Sequence, residues 1–221
     1  SVQQGRCVCI TGRAGCGKAT FLRLLAGVNI PLEGEVMVPP HLTVRHISLS
    51  PILFKGTLME NLLYGLDKDS PLAKIDRVVS ICKQLGLSHR TCSHITDETV
   101  NDWEKVCPGT EVRLMHIARG LVSDPEVLIL QCPSRGLPFS LSNRVFLLLR
   151  VLIEERGIGR DPAGIHKRRP RSVIYSTSPS DEIGIATADE LFLLDKSSVI
   201  ALTPEDVTAH WFKTLGHSEV D

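Results

Sequence analysis

Short apolar runs alternate with longer stretches of mixed polarity along most of this 221-residue chain. Apolar runs bounded by turn residues are typical of buried strands, and strands that alternate with helical stretches predict a parallel sheet with crossover helices. Strands are predicted at residues 6–11, 34–38, 43–47, 127–130, 172–175 and 190–194. The pattern therefore predicts an α/β fold.

The stretch between the third and fourth predicted strands has no strand pattern of its own. Residues 57–64, 72–85 and 88–105 are predicted to be helical or irregular. A helix is also predicted to start at Thr203, because its hydroxyl can cap a helix and Pro204 suits the first turn. A helical block is thus predicted to interrupt a strand-rich core.

Residues 12–20 join the first predicted strand to a predicted helix at 19–26, and they have the spacing of a phosphate-binding loop. In the pattern G-x-x-x-x-G-K-[ST], backbone N–H groups and the Lys hold phosphates while the hydroxyl binds Mg²⁺. Lys18 is present, but Ala19 stands at the hydroxyl position. The sequence predicts a phosphate cradle without this metal ligand; the alternative is an ordinary Gly-rich turn. The predicted nucleotide-binding residues are Gly12, Arg13, Ala14, Gly15, Cys16, Gly17, Lys18, Ala19 and Thr20.

Composition excludes several classes of protein. Lys and Arg number 25, as do Asp and Glu, and the resulting net charge of zero argues against a nucleic-acid partner. The seven cysteines form no paired C-x-x-C framework, so reduced thiols are expected, with Cys7, Cys9 and Cys82 in the core. Cys92 with His94 is the one candidate for half of a metal site. Because the chain opens just before a predicted core strand, it is expected to be a piece of a longer protein.

Further segments carry a resemblance to a known family. Residues 50–62, SPILFKGTLMENL, are similar to the segment that follows the Q-loop in the ATP-binding domain of ABC transporters, particularly exporters. Residues 118–130 are similar to the end of the signature helix and the Walker B strand, and Asp195 with Lys196 falls at the family's hairpin. These segments occur in the same order as in the family, and together with the glycine loop they span nearly the whole chain. A GTPase or small-molecule kinase, the alternative P-loop families, would leave residues 50–62 unexplained.

The resemblance implies an architecture and partners. It implies a P-loop NTPase (RecA-like) core with a mostly parallel sheet and an inserted helical subdomain. Residues 1–221 would then form a single domain, with the core at 1–48 and 110–221 and the helical subdomain at about 49–109. The implied partners are the transmembrane domain of a transporter and a second nucleotide-binding domain, in a homodimer or heterodimer, at the cytoplasmic face of a membrane.

The same resemblance implies that the residues expected to perform catalysis are replaced. The Q-loop Gln falls on Leu49, the D-loop Asp on Pro138 and the switch His on Ser178. The Walker B Asp and the catalytic Glu fall on Gln131 and Cys132. No intact ligand therefore remains at the metal positions Ala19, Leu49 and Gln131, and no intact group at the catalytic positions Gln131, Cys132 and Ser178. The signature LSGGQ falls on Cys107, Pro108, Gly109, Thr110 and Glu111.

Three functions are compatible with these replacements. The first is an ABC domain that binds ATP weakly, has doubtful Mg²⁺ binding and impaired or absent hydrolysis, and supports or regulates a transporter. The second is an ABC ATPase with slow residual turnover through substitute residues. The third is an interaction scaffold that binds no nucleotide.

Two further features have open interpretations. Residues 156–171 are rich in Gly, Pro and cations, which predicts a mobile basic surface loop. Such a loop is either merely solvated, in contact with anionic lipid, or a means of presenting Ser172 to a kinase. Trp103 is either an anchor for a partner or a core aromatic.

Overall fold

The computed structural model describes residues 2–195 and 198–202. They form one six-stranded sheet with the order β2-β3-β4-β1-β5-β6. The five strands from β2 to β5 in this order are parallel, and β6 pairs with β5 in antiparallel fashion. The mixed α/β fold with a mostly parallel sheet is confirmed. The strands are β1 (Cys7–Thr11), β2 (Val44–Ile47), β3 (Val127–Gln131), β4 (Ser172–Ser176), β5 (Glu190–Asp195) and β6 (Ser198–Leu202).

The helices of the described residues concentrate between β2 and β3, as the sequence predicts. α2 begins with a capping box, in which the Thr57 side chain accepts from the Glu60 backbone N–H and Glu60 accepts from that of Thr57. α3 ends at Gly86, whose φ of 96° is in the left-handed region that favours glycine. The helices are α1 (Lys18–Leu25), α2 (Leu58–Leu62), α3 (Ile75–Leu85), α4 (His89–Ser93), α5 (Trp103–Val106), α6 (Gly109–Val122), α7 (Phe139–Glu154) and α8 (Glu182–Ala186).

One hydrophobic cluster joins the helical block to the sheet. Ile81 and Trp103 from that block share the cluster with Leu128 of β3 and Phe146 of α7. α3 packs against both α6 and α7. The division of the chain at residues 49 and 109 stays a prediction, since the two parts bury their apolar side chains together.

Residues 34–38 do not form the predicted strand. Met37 is 83% exposed, and no strand among the described residues pairs with this segment. A strand needs a neighbour for its backbone N–H and C=O groups, and the local apolar pattern gives no information about one. The segment is therefore an exposed apolar connection between α1 and β2.

Most of residues 156–171 lie at the surface, but the interpretation of this basic segment as merely solvated is wrong. The segment contains a 3₁₀ turn (Pro162–Lys167) and is fastened at several points. The Arg160 guanidinium lies 2.7 Å from the fully buried carboxylate of Asp124, and Arg169 donates to the His41 carbonyl oxygen at 2.8 Å. Ser172 is buried and its hydroxyl accepts from the Gly5 N–H at 3.0 Å, so it is not presented to a kinase. A buried carboxylate needs cationic partners, and this segment supplies two of them, Arg160 and Arg171.

Two predictions lie outside the described residues, namely the helix start at Thr203 and the position of Lys196 in the hairpin between β5 and β6. No helix in the described part of the chain combines the length and apolar character needed to cross a membrane.

Candidate functional site

A cleft of about 950 Å³ lies at the carboxyl ends of β1, β3 and β4. The glycine loop, Leu49, the end of β3 and residues 176–183 line it. Ligands of open α/β sheets bind outside the carboxyl ends of the strands, where the strand order reverses. The structure therefore brings the predicted nucleotide-binding loop together with Leu49, Gln131, Cys132 and Ser178, as the sequence predicts.

The glycine loop has the backbone that a phosphate cradle requires. Gly12, Gly15 and Gly17 have φ of 147°, 77° and 100°, conformations that side chains disfavour. A Cβ at Gly12 would lie 2.3 Å from the Leu194 carbonyl oxygen, so no larger residue fits there. α1 follows without a side-chain cap, so its first backbone N–H groups remain available to an anion. An ordinary Gly-rich turn would not need this combination.

Lys18 curls over the loop that precedes it. Its ammonium group donates to the carbonyl oxygens of Gly12 at 2.5 Å and Arg13 at 2.8 Å. It also lies 3.7 Å from the Cys16 sulfur. The positive charge is thus held within the cradle.

Gln131 connects the three segments that meet at the predicted metal position. Its Oε1 accepts from the Leu49 N–H at 3.2 Å, and its Nε2 donates to the Ala19 carbonyl oxygen at 3.4 Å. The same Nε2 lies 3.0 Å from His46 Nε2. Gln131 is 3% exposed. A neutral, buried amide therefore stands at the position where the sequence resemblance predicts a carboxylate.

Arg113 of α6 fixes the backbone around this amide, and sequence reasoning missed it. Its guanidinium donates to the carbonyl oxygens of Ser48 and Leu49 at 2.7 and 2.5 Å. It also donates to those of Gln131 and Cys132 at 2.7 and 3.0 Å. Burial lowers the pKa of Arg113. One side chain thus ties the segment after β2 to the end of β3.

Two histidines lie behind the cleft, and neither was predicted. His116 is 5% exposed, and its Nε2 lies 3.3 Å from the Ser48 hydroxyl. Burial, and then the neighbouring positive charges of Arg119 and Arg113, lowers the pKa of His116 to about 4. Burial and then Arg23 also lower the pKa of His46. Both rings are neutral at physiological pH.

The lowered pKa of His116 predicts that the domain loses stability in weak acid. Unfolded His116 titrates near 6.5 and the folded residue near 4, so the unfolded chain binds more protons between these values. The free energy of unfolding should fall as pH drops from about 6.5 to 4, with a contribution from His116 on the order of 3 kcal/mol. Urea unfolding across this range measures it.

A His116→Gln variant should show a shallower fall over the same range, because its side chain cannot be protonated. His89→Gln, at an exposed position of α4, should keep the slope of the wild type. Equal slopes for wild type and His116→Gln would contradict this account.

The other two positions predicted to be catalytic, Cys132 and Ser178, each contact a neighbouring serine hydroxyl. Cys132 has a φ of 44°; its N–H donates to the Ser176 hydroxyl at 3.2 Å and its sulfur lies 3.6 Å from that oxygen. Ser178 is exposed, with its hydroxyl 2.9 Å from that of Ser180. Asp181, which sequence reasoning also missed, accepts from the hydroxyls of Ser134 and Thr177 and caps α8 through the Gly184 N–H.

The five residues at the predicted signature position lie apart from this cleft within the chain. Pro108 precedes α6, Gly109 begins it, and none of the five signature residues lines the cleft. Glu111 accepts from the Ser88 N–H at 3.0 Å, which joins the start of α6 to α4. These residues therefore take no part in the cleft of their own chain.

Trp103 is a core aromatic, so its alternative interpretation as an exposed partner anchor is wrong. It is 1% exposed, and its indole N–H donates to the Gly56 carbonyl oxygen at 2.9 Å. His94 lies 2.8 Å from the Asp97 carboxylate, and no group of three potential metal ligands occurs within residues 2–195 and 198–202. All seven cysteines are free, with Cys7, Cys9 and Cys82 buried as predicted.

The family model described as ABC transporter matches residues 1–134. An aliphatic sulfonates import ATP-binding protein of Paraburkholderia xenovorans (strain LB400) is 31% identical over 217 residues, 97% of this chain and 76% of that protein. Another from Shouchella clausii (strain KSM-K16) is 28% identical over 200 residues, 90% of this chain and 70% of that protein. A spermidine/putrescine import ATP-binding protein of Clostridium novyi (strain NT) is 25% identical, covering 94% of this chain and 57% of that protein.

A solved structure shares the fold. It is described as "An inward-facing conformation of a putative metal-chelate type ABC transporter", with a TM-score of 0.66 and 20% identity over 96% of this chain and 80% of that one. ATP-binding domains of this family pair with transmembrane domains, dimerise, and bind ATP with Mg²⁺. The strand order, the glycine loop and the family match agree, and this chain belongs to the ABC transporter family as an ATP-binding domain.

Proposed function

We propose that this domain binds ATP weakly through its glycine loop and supports or regulates a transporter, with hydrolysis impaired or absent. The contrast between the two halves of the cleft carries this proposal. The loop keeps its left-handed glycines and Lys18, whereas a neutral amide and a thiol stand at Gln131 and Cys132. Phosphate binding needs the first half, and hydrolysis needs both.

The replaced side chains are expected to impair ATP hydrolysis more than nucleotide binding. Phosphoryl transfer to water requires neutralised phosphate oxygens and a residue that orients the attacking water. Ser178 and Cys132 bring no charge to that task, and the carboxylate of Asp181 is engaged by Ser134, Thr177 and the start of α8. Backbone N–H groups and Lys18 can still bind phosphates, since they depend on no replaced side chain.

Partner binding is proposed for the segment 50–62, which resembles that of exporters. Phe54 is partly exposed there, its ring centroid lies 5.6 Å from that of Tyr64, and the Arg119 guanidinium lies over both rings. Arg119 also donates to the Ile52 and Asn61 carbonyl oxygens at 2.7 Å. This stiffened aromatic surface suits the transmembrane domain, which would place the chain at the cytoplasmic face of a membrane. The second nucleotide-binding domain is proposed to meet the cleft.

A nucleotide-free scaffold is the second candidate, and one observation favours it. The Lys18 ammonium is already satisfied by the Gly12 and Arg13 carbonyl oxygens, so nucleotide must displace these bonds. Slow residual ATP hydrolysis is the third candidate, and phosphate release separates it from the other two.

Replacing Lys18 tests whether the cradle binds nucleotide. Wild-type protein should bind ATP with a dissociation constant on the order of 0.1–1 mM, and Lys18→Ala should lose most of that binding because no other side chain of the loop carries the charge into the cradle. Isothermal titration calorimetry and thermal shift at millimolar ATP measure the difference.

Lys83→Ala, at an exposed position of α3, serves as the matched control and should bind as the wild type does. An equal response of wild type and Lys18→Ala to millimolar ATP would favour the scaffold instead.

A further inference from the structure

The residues at the metal position do not fit a magnesium ion. In P-loop NTPases, Mg²⁺ is held by the Ser/Thr hydroxyl that follows the loop Lys and by the Walker B Asp. Ala19 has no side-chain oxygen, and the side-chain oxygen of Gln131 is neutral and accepts from the Leu49 N–H at 3.2 Å. Mg²⁺ prefers charged oxygen ligands in a near-ideal octahedron and loses its water reluctantly. A single neutral amide oxygen, without the hydroxyl and the carboxylate, does not meet these demands.

The orientation of the Gln131 amide follows from its surroundings. The Leu49 N–H needs an acceptor, which Oε1 provides, and the Ala19 carbonyl oxygen needs a donor, which Nε2 provides at 3.4 Å. A flipped amide would place two donors together at Leu49 and two acceptors together at Ala19. Because Nε2 is only a donor, neutral His46 accepts from it across 3.0 Å. The amide thus hydrogen-bonds with α1 at Ala19, with the segment after β2 at Leu49 and with β2 at His46.

No other acidic group near the cleft replaces the missing carboxylate. The acidic residues that line it are Asp181 and Glu182, both at the start of α8. Both carboxylate oxygens of Asp181 accept hydrogen bonds, and Glu182 is exposed. The side chains of Lys18 and Arg135 supply positive charge to the lining instead.

We propose that this site binds ATP without Mg²⁺. In place of a metal, the Gln131 amide at the end of β3 joins α1 to the segment after β2. The inference rests on the proposed nucleotide binding. Free ATP carries more negative charge than its magnesium complex, so a site with cations and no carboxylate ligand attracts the free form more strongly. Mg²⁺ should therefore leave the affinity unchanged or weaken it, the reverse of what an intact metal site shows.

The test compares ATP affinity of the wild-type chain in EDTA with that in millimolar Mg²⁺, measured by calorimetry. We expect the affinity in EDTA to equal or exceed that in Mg²⁺. In the double variant Ala19→Ser with Gln131→Asp, Mg²⁺ should tighten binding by about tenfold or more, since a hydroxyl and a carboxylate return. The matched control is Gln84→Asp on the exposed face of α3, which adds the same charge away from the cleft.

Tighter binding by the wild type in Mg²⁺ than in EDTA would overturn the inference and leave the proposed function intact. Absence of ATP binding in both buffers would overturn the proposed function and the inference with it. The fold of the double variant is checked by far-ultraviolet circular dichroism. If it folds and gains no preference for Mg²⁺, then Ala19 and Gln131 are not the cause of the missing Mg²⁺ dependence. If that variant does not fold, the wild-type comparison decides alone.

Discussion

ATP turnover by this domain is expected to be about 10⁴-fold or more below that of an ABC ATPase with intact catalytic residues. A positioned general base alone contributes roughly 10²–10⁴ in rate, and electrostatic stabilisation of the transferring phosphoryl group contributes at least as much. Neither Cys132 nor Ser178 brings the carboxylate or imidazole that these effects require. The Cys132 sulfur lies 3.6 Å from the Ser176 hydroxyl, and the Ser178 hydroxyl lies at the surface, 2.9 Å from that of Ser180. Release of inorganic phosphate from ATP measures the turnover.

Repair of the replaced side chains should restore part of the chemistry without a change of fold. The repaired chain carries Ala19→Ser, Leu49→Gln, Gln131→Asp, Cys132→Glu and Ser178→His. We expect Mg²⁺-dependent nucleotide affinity to return, because two oxygen ligands and a carboxylate reach the metal position. Turnover should return only in part, since the predicted signature segment, Cys107 to Glu111, is left unchanged in this variant.

Lys18→Ala in the repaired chain controls for contaminating ATPases, because it should remove any regained turnover. The account fails if the unrepaired chain releases phosphate at more than a few per cent of a typical rate of ~1–10³ s⁻¹. It also fails if the repaired chain folds but gains no metal-dependent binding.

The sequence predicted the glycine loop and the residues that line the cleft with it, because their determinants are local. The spacing of Gly12, Gly17 and Lys18 permits few backbone paths, and the apolar runs of β3 and β4 end where Gln131 and Ser176 reach the cleft. Parallel strands place those ends at one edge of the sheet. Position along the chain therefore translated directly into position in the site.

Burial of single side chains was less predictable, because it depends on residues far along the chain. Trp103 could equally have been an exposed anchor, and its hydrogen bond to Gly56 crosses 47 residues. The cations of residues 156–171 were expected to be solvated, yet Arg160 and Arg171 meet the buried carboxylate of Asp124. Composition shows that a segment is basic and does not show which buried acid it neutralises.

The polar support behind the cleft was missed altogether, although one signal for it exists. α6 is buried on nearly every side, and a charged residue within such a helix must find several acceptors. Arg113 and Arg119 both satisfy this rule by donating to backbone carbonyl oxygens of distant segments. Arginines inside a helix that is buried on nearly every side thus predict structural guanidinium bridges, even where their partners stay unknown.

Removal of the Arg113 guanidinium is expected to destabilise the domain by roughly 3–4 kcal/mol. An Arg113→Met variant fills similar space but removes the guanidinium donor from the carbonyl oxygens of Ser48, Leu49, Gln131 and Cys132, of which that of Cys132 keeps a second donor, the Arg135 N–H at 3.0 Å. Methionine avoids the cost of burying a charge. That gain is smaller than the loss of the hydrogen bonds, because the carbonyl oxygens keep their positions without the guanidinium. Urea unfolding followed by circular dichroism measures the change.

Arg113→Lys separates charge from geometry, and it should recover less than half of the loss. An ammonium group is a compact donor and cannot span two pairs of carbonyl oxygens as the planar guanidinium does. Arg90→Met, at an exposed position of α4, should change stability by less than about 0.5 kcal/mol. Because Arg113 positions both Leu49 and Gln131, Arg113→Lys should also weaken ATP binding while the chain remains folded. Wild-type stability in Arg113→Met would show that these oxygens find other partners and that the bridge is dispensable.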